Sequence, residues 1–153
     1  MKKILFTLFL GLLISTNSFS QEKLIWHTDL KEAAEIAIKE DKQILLFFTG
    51  SDWCGWCTKL QNDVFKTSDF EKWSKDLVLV ELDFPRRSAQ DQKTKAQNKQ
   101  LKNTFGVRGF PTIHFVNLDK KTDGKINLKN LGKIGYVRGG VKKWLNAANT
   151  IIN

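Results

Sequence analysis

The chain has 153 residues and a formal charge of +9 at pH 7, a length that suits one domain with a single core. The lysines after residue 20 are spread from Lys23 to Lys143 and are mixed with Asp and Glu. This dispersion predicts a solvated basic surface and excludes a dense nucleic-acid interface with interleaved aromatic residues.

Residues 1–20 have the three parts of a secretory signal peptide. Lys2 and Lys3 form a positive n-region, residues 4–14 form a short apolar run, and residues 18–20 supply small side chains at positions −3 and −1. We therefore expect cleavage before Gln21 and a mature domain of residues 21–153, secreted or periplasmic. The alternative is a buried or membrane-anchoring helix. No later apolar stretch is long enough to span a bilayer, so no stable membrane insertion is expected after cleavage.

The mature chain begins with an alternation of strand and helix patterns. Residues 24–26 are a short strand candidate, and Asp29 is typical of an N-cap residue. The helix that follows Asp29 is expected to run to about Glu40. Residues 43–49 form an apolar run typical of a central strand buried on both faces. The predicted apolar face of the helix consists of Leu30, Ala33, Ala34, Ala37 and Ile38.

A loop at residues 50–53 leads to Cys54, which opens the next predicted helix. A brief helical segment begins at Ser68. Residues 77–82 form a second strongly apolar strand, and residues 85–92 form a polar connection. The chain thus continues to alternate strands with helices, which favours an α/β architecture.

The last third adds a polar surface helix at residues 93–105 and a strand at residues 112–116. Asp123-Gly124 is a hairpin signal, and a further strand lies between residues 126 and 134. A final amphipathic helix follows Gly139-Gly140. The order β-α-β-α-β-α-β-β-α predicts a mixed sheet covered by helices on both faces.

The most informative stretch is Trp53-Cys54-Gly55-Trp56-Cys57, which holds the two cysteines of the chain. Cysteines at positions i and i+3 of a first helical turn can bring their sulfurs within bonding distance. Helix N–H groups then favour a thiolate on the first one, and the thiolate is the nucleophile of disulfide exchange. The alternative is an inert structural disulfide. A bridge that closes so short a loop constrains the unfolded chain little, which favours the redox interpretation.

Three motifs resemble the thioredoxin-fold family, in particular exported bacterial thioredoxin-like thiol–disulfide oxidoreductases. They are residues 53–57 after the first central strand, Leu82-Asp83 at the end of the next strand, and residues 106–112, Gly-Val-Arg-Gly-Phe-Pro-Thr. The resemblance covers essentially all of the mature region. It implies an α/β thioredoxin fold, in which a central mixed β-sheet is flanked by helices on both faces. The Gly-Trp pair between the cysteines is similar to exported members and to the soluble reducing domain of transmembrane disulfide-interchange proteins.

The resemblance also implies roles for the site residues. Cys54 would attack a substrate disulfide, and Cys57 would resolve the mixed disulfide. Few X–Pro bonds are cis, so the residues alone favour a trans Pro111, whereas the resemblance implies a cis Pro111 that faces the dithiol. The residues expected to bind substrate are Trp53, Gly55, Trp56, Phe110 and Pro111. Packing alone is the alternative role for the two tryptophans and for Phe110.

Many members of the family carry a buried acid on the strand before the cysteines and a lysine on the next strand that pairs with it. Aligned without gaps, the corresponding residues of this chain are Phe48 and Leu79, so the acid and the lysine are both missing. The proton of Cys57 would then pass to water or to another group such as Asp52 or Glu81. A negative Asp52 would oppose the helix effect on the pKa of Cys54, and its alternative role is to cap the helix that begins there.

We therefore expect an enzyme that exchanges disulfides with protein substrates through Cys54 and Cys57, as a reductase or interchange protein. A membrane or soluble redox partner would then return the Cys54–Cys57 pair to its starting redox state. No cofactor or metal is expected, because His27 and His114 have no ligand spacing with the cysteines. The alternative from another class is a non-catalytic client-binding or chaperone-like module with a structural disulfide. The direction of exchange depends on the reduction potential and the redox partner.

Overall fold

The computed structural model describes residues 24–120 and 126–153. The predicted signal peptide and the predicted turn at Asp123-Gly124 lie outside this part of the chain. A π-helical turn extends the second helix, and a 3₁₀ turn precedes the third strand. The elements in chain order are β1 (Trp26–His27), α1 (Leu30–Glu40), β2 (Gln43–Thr49), α2 (Gly55–Leu60), the π turn (Gln61–Phe65), α3 (Ser68–Trp73), the 3₁₀ turn (Ser74–Asp76), β3 (Leu77–Asp83), α4 (Gln92–Thr104), β4 (Thr112–Lys120), β5 (Ile126–Ile134) and α5 (Gly140–Ile152).

The five strands form one mixed sheet in the order β1-β3-β2-β4-β5. Strands β1, β3 and β2 run parallel, whereas β4 is antiparallel to β2 and to β5. The register places Phe47 of β2 beside Glu81 of β3 and beside Ile113 of β4. Strand β2 is thus the central strand, and its apolar run is buried as predicted.

Each face of the sheet carries its own hydrophobic core. One core contains Leu45 and Phe47 of β2, both cysteines, and Trp144 of α5. The other contains Ile44, Leu46 and Phe48 of β2 with residues of α1 and α4. Side chains alternate along a strand, so β2 contributes to both cores, as do its neighbours β3 and β4. The predicted thioredoxin fold, with helices on both faces of a mixed sheet, is confirmed.

Helix α1 begins as the sequence predicts. The Asp29 carboxylate accepts hydrogen bonds from the backbone N–H groups of Lys31 (2.8 Å) and Glu32 (3.3 Å), which satisfies two donors that have no partner within the helix. The predicted apolar face is wrong at one position. Ile38 is exposed beside Asn117 and Asp119, where the apolar cover of the sheet ends, and Ile36 packs against the core instead.

Strands β1 and β4 differ most from the predicted boundaries, and β3 extends by one residue to Asp83. Strand β1 lies at Trp26–His27 and not at residues 24–26. Strand β4 continues four residues past the predicted end at Val116, to Lys120. Beyond Val116 the strand pairs only with β5, so it leaves the two buried faces of the sheet and needs no apolar run. The apolar run in the sequence therefore ends where β4 stops being buried on both faces, and the strand itself continues.

Candidate active site

The two cysteines lie at the carboxyl end of β2, where the chain turns into α2. Their sulfurs are bonded at 2.01 Å, and their Cα atoms are 5.2 Å apart. Cys54 is the N-cap residue of α2, and its Sγ accepts a hydrogen bond from the Cys57 N–H at 3.2 Å. Cys54 retains 6% exposure and Cys57 retains 1%, so the first cysteine is the more accessible to another molecule.

Two carboxylates hold the loop that presents the cysteines. The Asp83 carboxylate, at the end of β3, accepts hydrogen bonds from the Ser51 backbone N–H (2.7 Å) and hydroxyl (2.6 Å). The Asp52 carboxylate accepts backbone N–H bonds from Arg86 (3.0 Å), Arg87 (2.7 Å) and Ser88 (2.9 Å). The two loops at this edge of the sheet are therefore tied to each other through charge-assisted hydrogen bonds.

Asp52 does not cap α2, so the capping role predicted for it is wrong. Cys54 occupies the N-cap position, and the carboxylate instead caps the turn at residues 86–88. Hydrogen bonds from the backbone N–H of Arg86, and also of Arg87 and Ser88, lower the pKa of Asp52 from 3.8 to about 2. Asp52 is consequently a very weak base at neutral pH.

Replacement of Asp52 by Asn is expected to destabilise the domain at neutral pH and to have a decreasing effect in acid. Because the folded-state pKa is below the unfolded value, the stabilisation is present above pH 3.8 and is lost as the pH falls through about 2. Urea unfolding of both proteins between neutral pH and about pH 2 measures the difference. A difference in unfolding free energy that stays constant over this range would contradict the assignment.

The Trp53 side chain makes packing contacts on most sides and is not an open surface for a substrate. Its Nε1–H donates to the Phe84 carbonyl at 2.8 Å, and its ring makes an edge contact with Phe110 at 5.7 Å between centroids. The ring also fills the space above Gly50, where an added Cβ would lie 2.5 Å from it. The guanidinium of Arg86 covers the ring at 3.6 Å from its centroid. These contacts favour the packing role that the sequence left open for Trp53.

Trp56 is the exposed aromatic residue of the site, with 51% of its surface accessible. Its ring lies 5.3 Å from that of Tyr136, measured between centroids. The Tyr136 hydroxyl donates to Asp63 at 2.6 Å, and Lys59 pairs with the same carboxylate at 2.9 Å. The Asp63 hydrogen bond raises the pKa of Tyr136. No sequence pattern pointed to Tyr136, because it lies after β5 and far along the chain from the cysteines.

The remaining predicted site residues are Phe110 and Pro111 in the loop before β4, and Gly55 at the start of α2. The Phe110–Pro111 peptide bond is cis, so the trans form favoured by the residues alone is wrong and the form implied by the resemblance is confirmed. Phe110 packs between Trp53 and Phe84, at 5.7 and 5.1 Å between ring centroids. Gly55 is exposed, and an added Cβ would meet no atom within 4 Å. The structure therefore places Phe110 against Trp53 and leaves Gly55 open to solvent.

The gap-free alignment placed the acid at Phe48, which faces away from the cysteines. Phe48 belongs to the core opposite the cysteines, whereas Leu79 belongs to the core that contains them. On β2, the residue that faces the core with the cysteines is Phe47. The residue paired with Phe47 on the adjacent strand β3 is Glu81. Glu81 therefore lies on the cysteine face of the sheet. Burial raises the pKa of Glu81, and the charge of Asp83 raises it further.

Among residues 24–120 and 126–153, no three His, Cys, Asp or Glu side chains are grouped to hold a metal ion. His114 is in the core and pairs its Nδ1 with Asn130 at 3.0 Å, and burial lowers its pKa. No helix in the described part of the chain is both long and apolar enough to cross a bilayer.

A disulfide at the N-cap of a helix, beside a cis-proline loop and at one edge of a five-stranded mixed sheet, defines a thioredoxin-fold dithiol protein. Residues 30–131 match the family described as "Thioredoxin-like domain". The chain belongs to this family and is a thiol–disulfide oxidoreductase.

One sequence relative and one solved structure support the assignment, and a more distant structure shares the fold. The disulfide bond reductase DsbH of Chlamydia pneumoniae is 34% identical over 123 residues, which are 80% of this chain and 74% of that protein. The solved structure of a DsbH oxidoreductase superposes with a TM-score of 0.75 at 31% identity, and the match covers 93% of each chain. A thioredoxin from Thermus thermophilus, at 16% identity, matches 84% of this chain and 86% of its own with a TM-score of 0.58, and it shows the shared fold alone.

Proposed function

We propose that this protein is an exported reductase or disulfide-interchange protein that acts on the disulfides of other proteins. The observation that carries the proposal is the Cys54–Cys57 pair at the N-terminus of α2, with the first sulfur the more exposed. Its similarity to a protein named a disulfide bond reductase favours the reducing direction. Residues 1–20 support export, and N-terminal sequencing of the mature protein is expected to begin at Gln21.

Cys54 begins the reaction. The Cys57 N–H that now bonds to the Cys54 sulfur is placed to stabilise a thiolate at the same atom after reduction. The thiolate attacks one sulfur of a substrate disulfide, a Cys54–substrate disulfide forms, and the other substrate sulfur leaves as a thiolate. Exposed Trp56 and Gly55, with the Phe110–Pro111 loop, supply the surface that the substrate segment contacts.

Cys57 completes the reaction. Its thiol loses a proton, the resulting thiolate attacks Cys54, and the second substrate sulfur leaves while the Cys54–Cys57 disulfide forms. Glu81 supports this step as the proton acceptor, because it lies on the cysteine face and burial favours its protonated form. Asp52 is a poor acceptor, since its pKa is about 2. A membrane or soluble redox partner then returns the pair to the dithiol.

Replacement of Glu81 by Gln is expected to slow the resolving step by roughly 10²-fold, because Gln has no carboxylate to take the proton. Stopped-flow decay of the mixed disulfide, as a function of pH, measures the step. The wild-type rate should level off once Glu81 has ionised, and the variant rate should keep rising as the Cys57 thiol ionises unaided. Replacement of the exposed Glu35 of α1 by Gln is the matched control.

Stability distinguishes this effect from damage to the fold. The raised pKa of Glu81 means that the folded state binds more protons than the unfolded state, so this group lowers stability as the pH rises through its titration. The Gln variant should thus gain stability at neutral pH relative to the wild type. If the Glu81→Gln variant resolved the mixed disulfide slowly but was also less stable than the wild type, the role of Glu81 would not be supported. An unchanged pH profile of the resolving step would also count against it.

A redox titration tests the proposed function. Alkylation mass shifts of the mature protein in dithiol buffers report the state of Cys54 and Cys57. A reduction potential of about −270 mV is expected if the protein is a reductant, and one of about −120 mV would indicate an oxidant. A disulfide that resists reduction well below about −300 mV would indicate a structural bridge and would overturn the catalytic proposal.

A further inference from the structure

On one side of the dithiol, the side chains of four cationic residues form no ion pair with a carboxylate within residues 24–120 and 126–153. Three of them are exposed, and the fourth is partly buried. We call this group the cationic rim. It consists of Arg86, Arg87, Lys102 and Arg108.

Two members of the rim are attached to the loop before the cysteines. The Arg86 guanidinium lies 3.6 Å from the centroid of the Trp53 ring, and Trp53 directly precedes Cys54. The Arg87 backbone N–H donates to Asp52 at 2.7 Å, so its exposed side chain projects from the same tied turn.

The other two members belong to the cis-proline side of the site. The Lys102 Nζ is 5.9 Å from the ring centroids of both Phe84 and Phe110. Arg108 is exposed two residues before Phe110, in the loop that carries the cis bond. Because Phe110 contacts both Trp53 and Phe84, Arg86 and Lys102 lie against one continuous aromatic surface.

On the opposite side of the site the cationic charge is partly paired, and the exposed Arg138 lies two residues after Tyr136. There Lys59 forms an ion pair with Asp63 at 2.9 Å beneath the Trp56–Tyr136 contact. On the cationic side, Asp52 and Asp83 already accept hydrogen bonds from the backbone and from Ser51. The arginine side chains of the rim form no ion pair within the described residues and remain available to an incoming molecule, and the Arg86 guanidinium lies over the Trp53 ring.

We propose that the cationic rim binds acidic polypeptide segments, so that the protein prefers substrates with Asp or Glu next to the reacting disulfide. This inference rests on the proposed function. Guanidinium groups bind carboxylates through paired hydrogen bonds, which suits Arg87 and Arg108. Aromatic rings between the cations would contact the apolar parts of an extended segment. The positive charge also accelerates the encounter with an acidic partner, in a way that salt weakens.

The test compares two disulfide peptides of identical length that carry either Asp and Glu or Lys beside their cysteines. Stopped-flow measurements with the reduced full-length mature protein give the second-order rate constant for each peptide. At about 0.01 M salt, where the Debye length is about 30 Å, the acidic peptide should react about tenfold faster. In about 1 M salt, where the Debye length is about 3 Å, the two rates should converge.

Charge reversal assigns the preference to the rim. The Arg87→Glu, Arg108→Glu double variant should react faster with the basic peptide than with the acidic one. The matched control is Lys39→Glu, Lys75→Glu, which makes the same change in net charge at exposed positions beside the starts of β2 and β3. This control should keep the acidic preference.

Two results would overturn the inference: equal rates for the two peptides at low salt, or an acidic preference that survives in the rim variant. A small neutral disulfide, 2-hydroxyethyl disulfide, separates these failures from failure of the proposed function. Exchange with this compound but no charge preference would refute only the role of the rim. No exchange with any disulfide would refute the proposed function itself.

Discussion

Replacement of Cys57 by Ser is expected to leave Cys54 joined to its substrate as a stable mixed disulfide. Cys54 retains its attacking role in this variant, but no second sulfur remains to displace the substrate. Turnover should fall by roughly 10³-fold or more, the scale seen when a member of a catalytic unit is removed. Non-reducing electrophoresis followed by mass spectrometry of the trapped species measures the outcome.

Two control variants separate the alternatives. Replacement of Cys54 by Ser should trap little, because the remaining sulfur of Cys57 is 1% exposed. Equal trapping by both single variants would show that the roles of the two cysteines are not distinct. A variant that lacks both cysteines should retain no substrate; if it retained the same partners, the non-catalytic client-binding alternative would be favoured.

Truncation of Trp144 to Ala is expected to destabilise the domain by about 3–5 kcal/mol. The Trp144 side chain is fully buried, and its ring contacts Phe65, Phe70 and Trp73 at 5.6 to 5.9 Å between centroids. Its Nε1–H also donates to the Gly135 carbonyl at 3.0 Å. The variant loses both this packing and the partner of a carbonyl group. Urea unfolding at neutral pH gives the difference.

Trp56 provides the matched control for Trp144, because half of its surface is already exposed. Replacement of Trp56 by Ala should change stability by no more than about 0.5 kcal/mol. A loss of less than about 1 kcal/mol for Trp144→Ala would mean that the core refills the space, contrary to the close packing seen around the ring. Similar losses for both variants would show that the Trp56–Tyr136 contact is structural.

The sequence predicts most of the framework because its strongest signals are local. The apolar run of β2 and the Asp29 cap each follow from a few neighbouring residues, and both are confirmed. The Trp53–Cys57 stretch places the dithiol at the start of α2 for the same reason. The cis state of Pro111 required the family resemblance, because local preference favours trans.

What the sequence did not predict depends on which residues meet across the fold. Tyr136 reaches Trp56 from beyond β5, and Asp52 binds backbone donors more than 30 residues further along the chain. The error over Phe48 has a related cause. A shift of one position moves a strand residue to the opposite face, and the loop between β2 and Cys54 hides that shift from an ungapped alignment.

The central position of β2 limits how the chain can be divided. Its parallel partner is Leu77–Asp83, and its antiparallel partner is not complete until Val116. A fragment that ends before β4 would keep both cysteines but would leave one edge of this apolar strand unpaired. Unpaired apolar edges recruit other chains, so such fragments should aggregate. Split-protein reporters and minimal peptides built around the dithiol would therefore need β4 as well as the active-site segment.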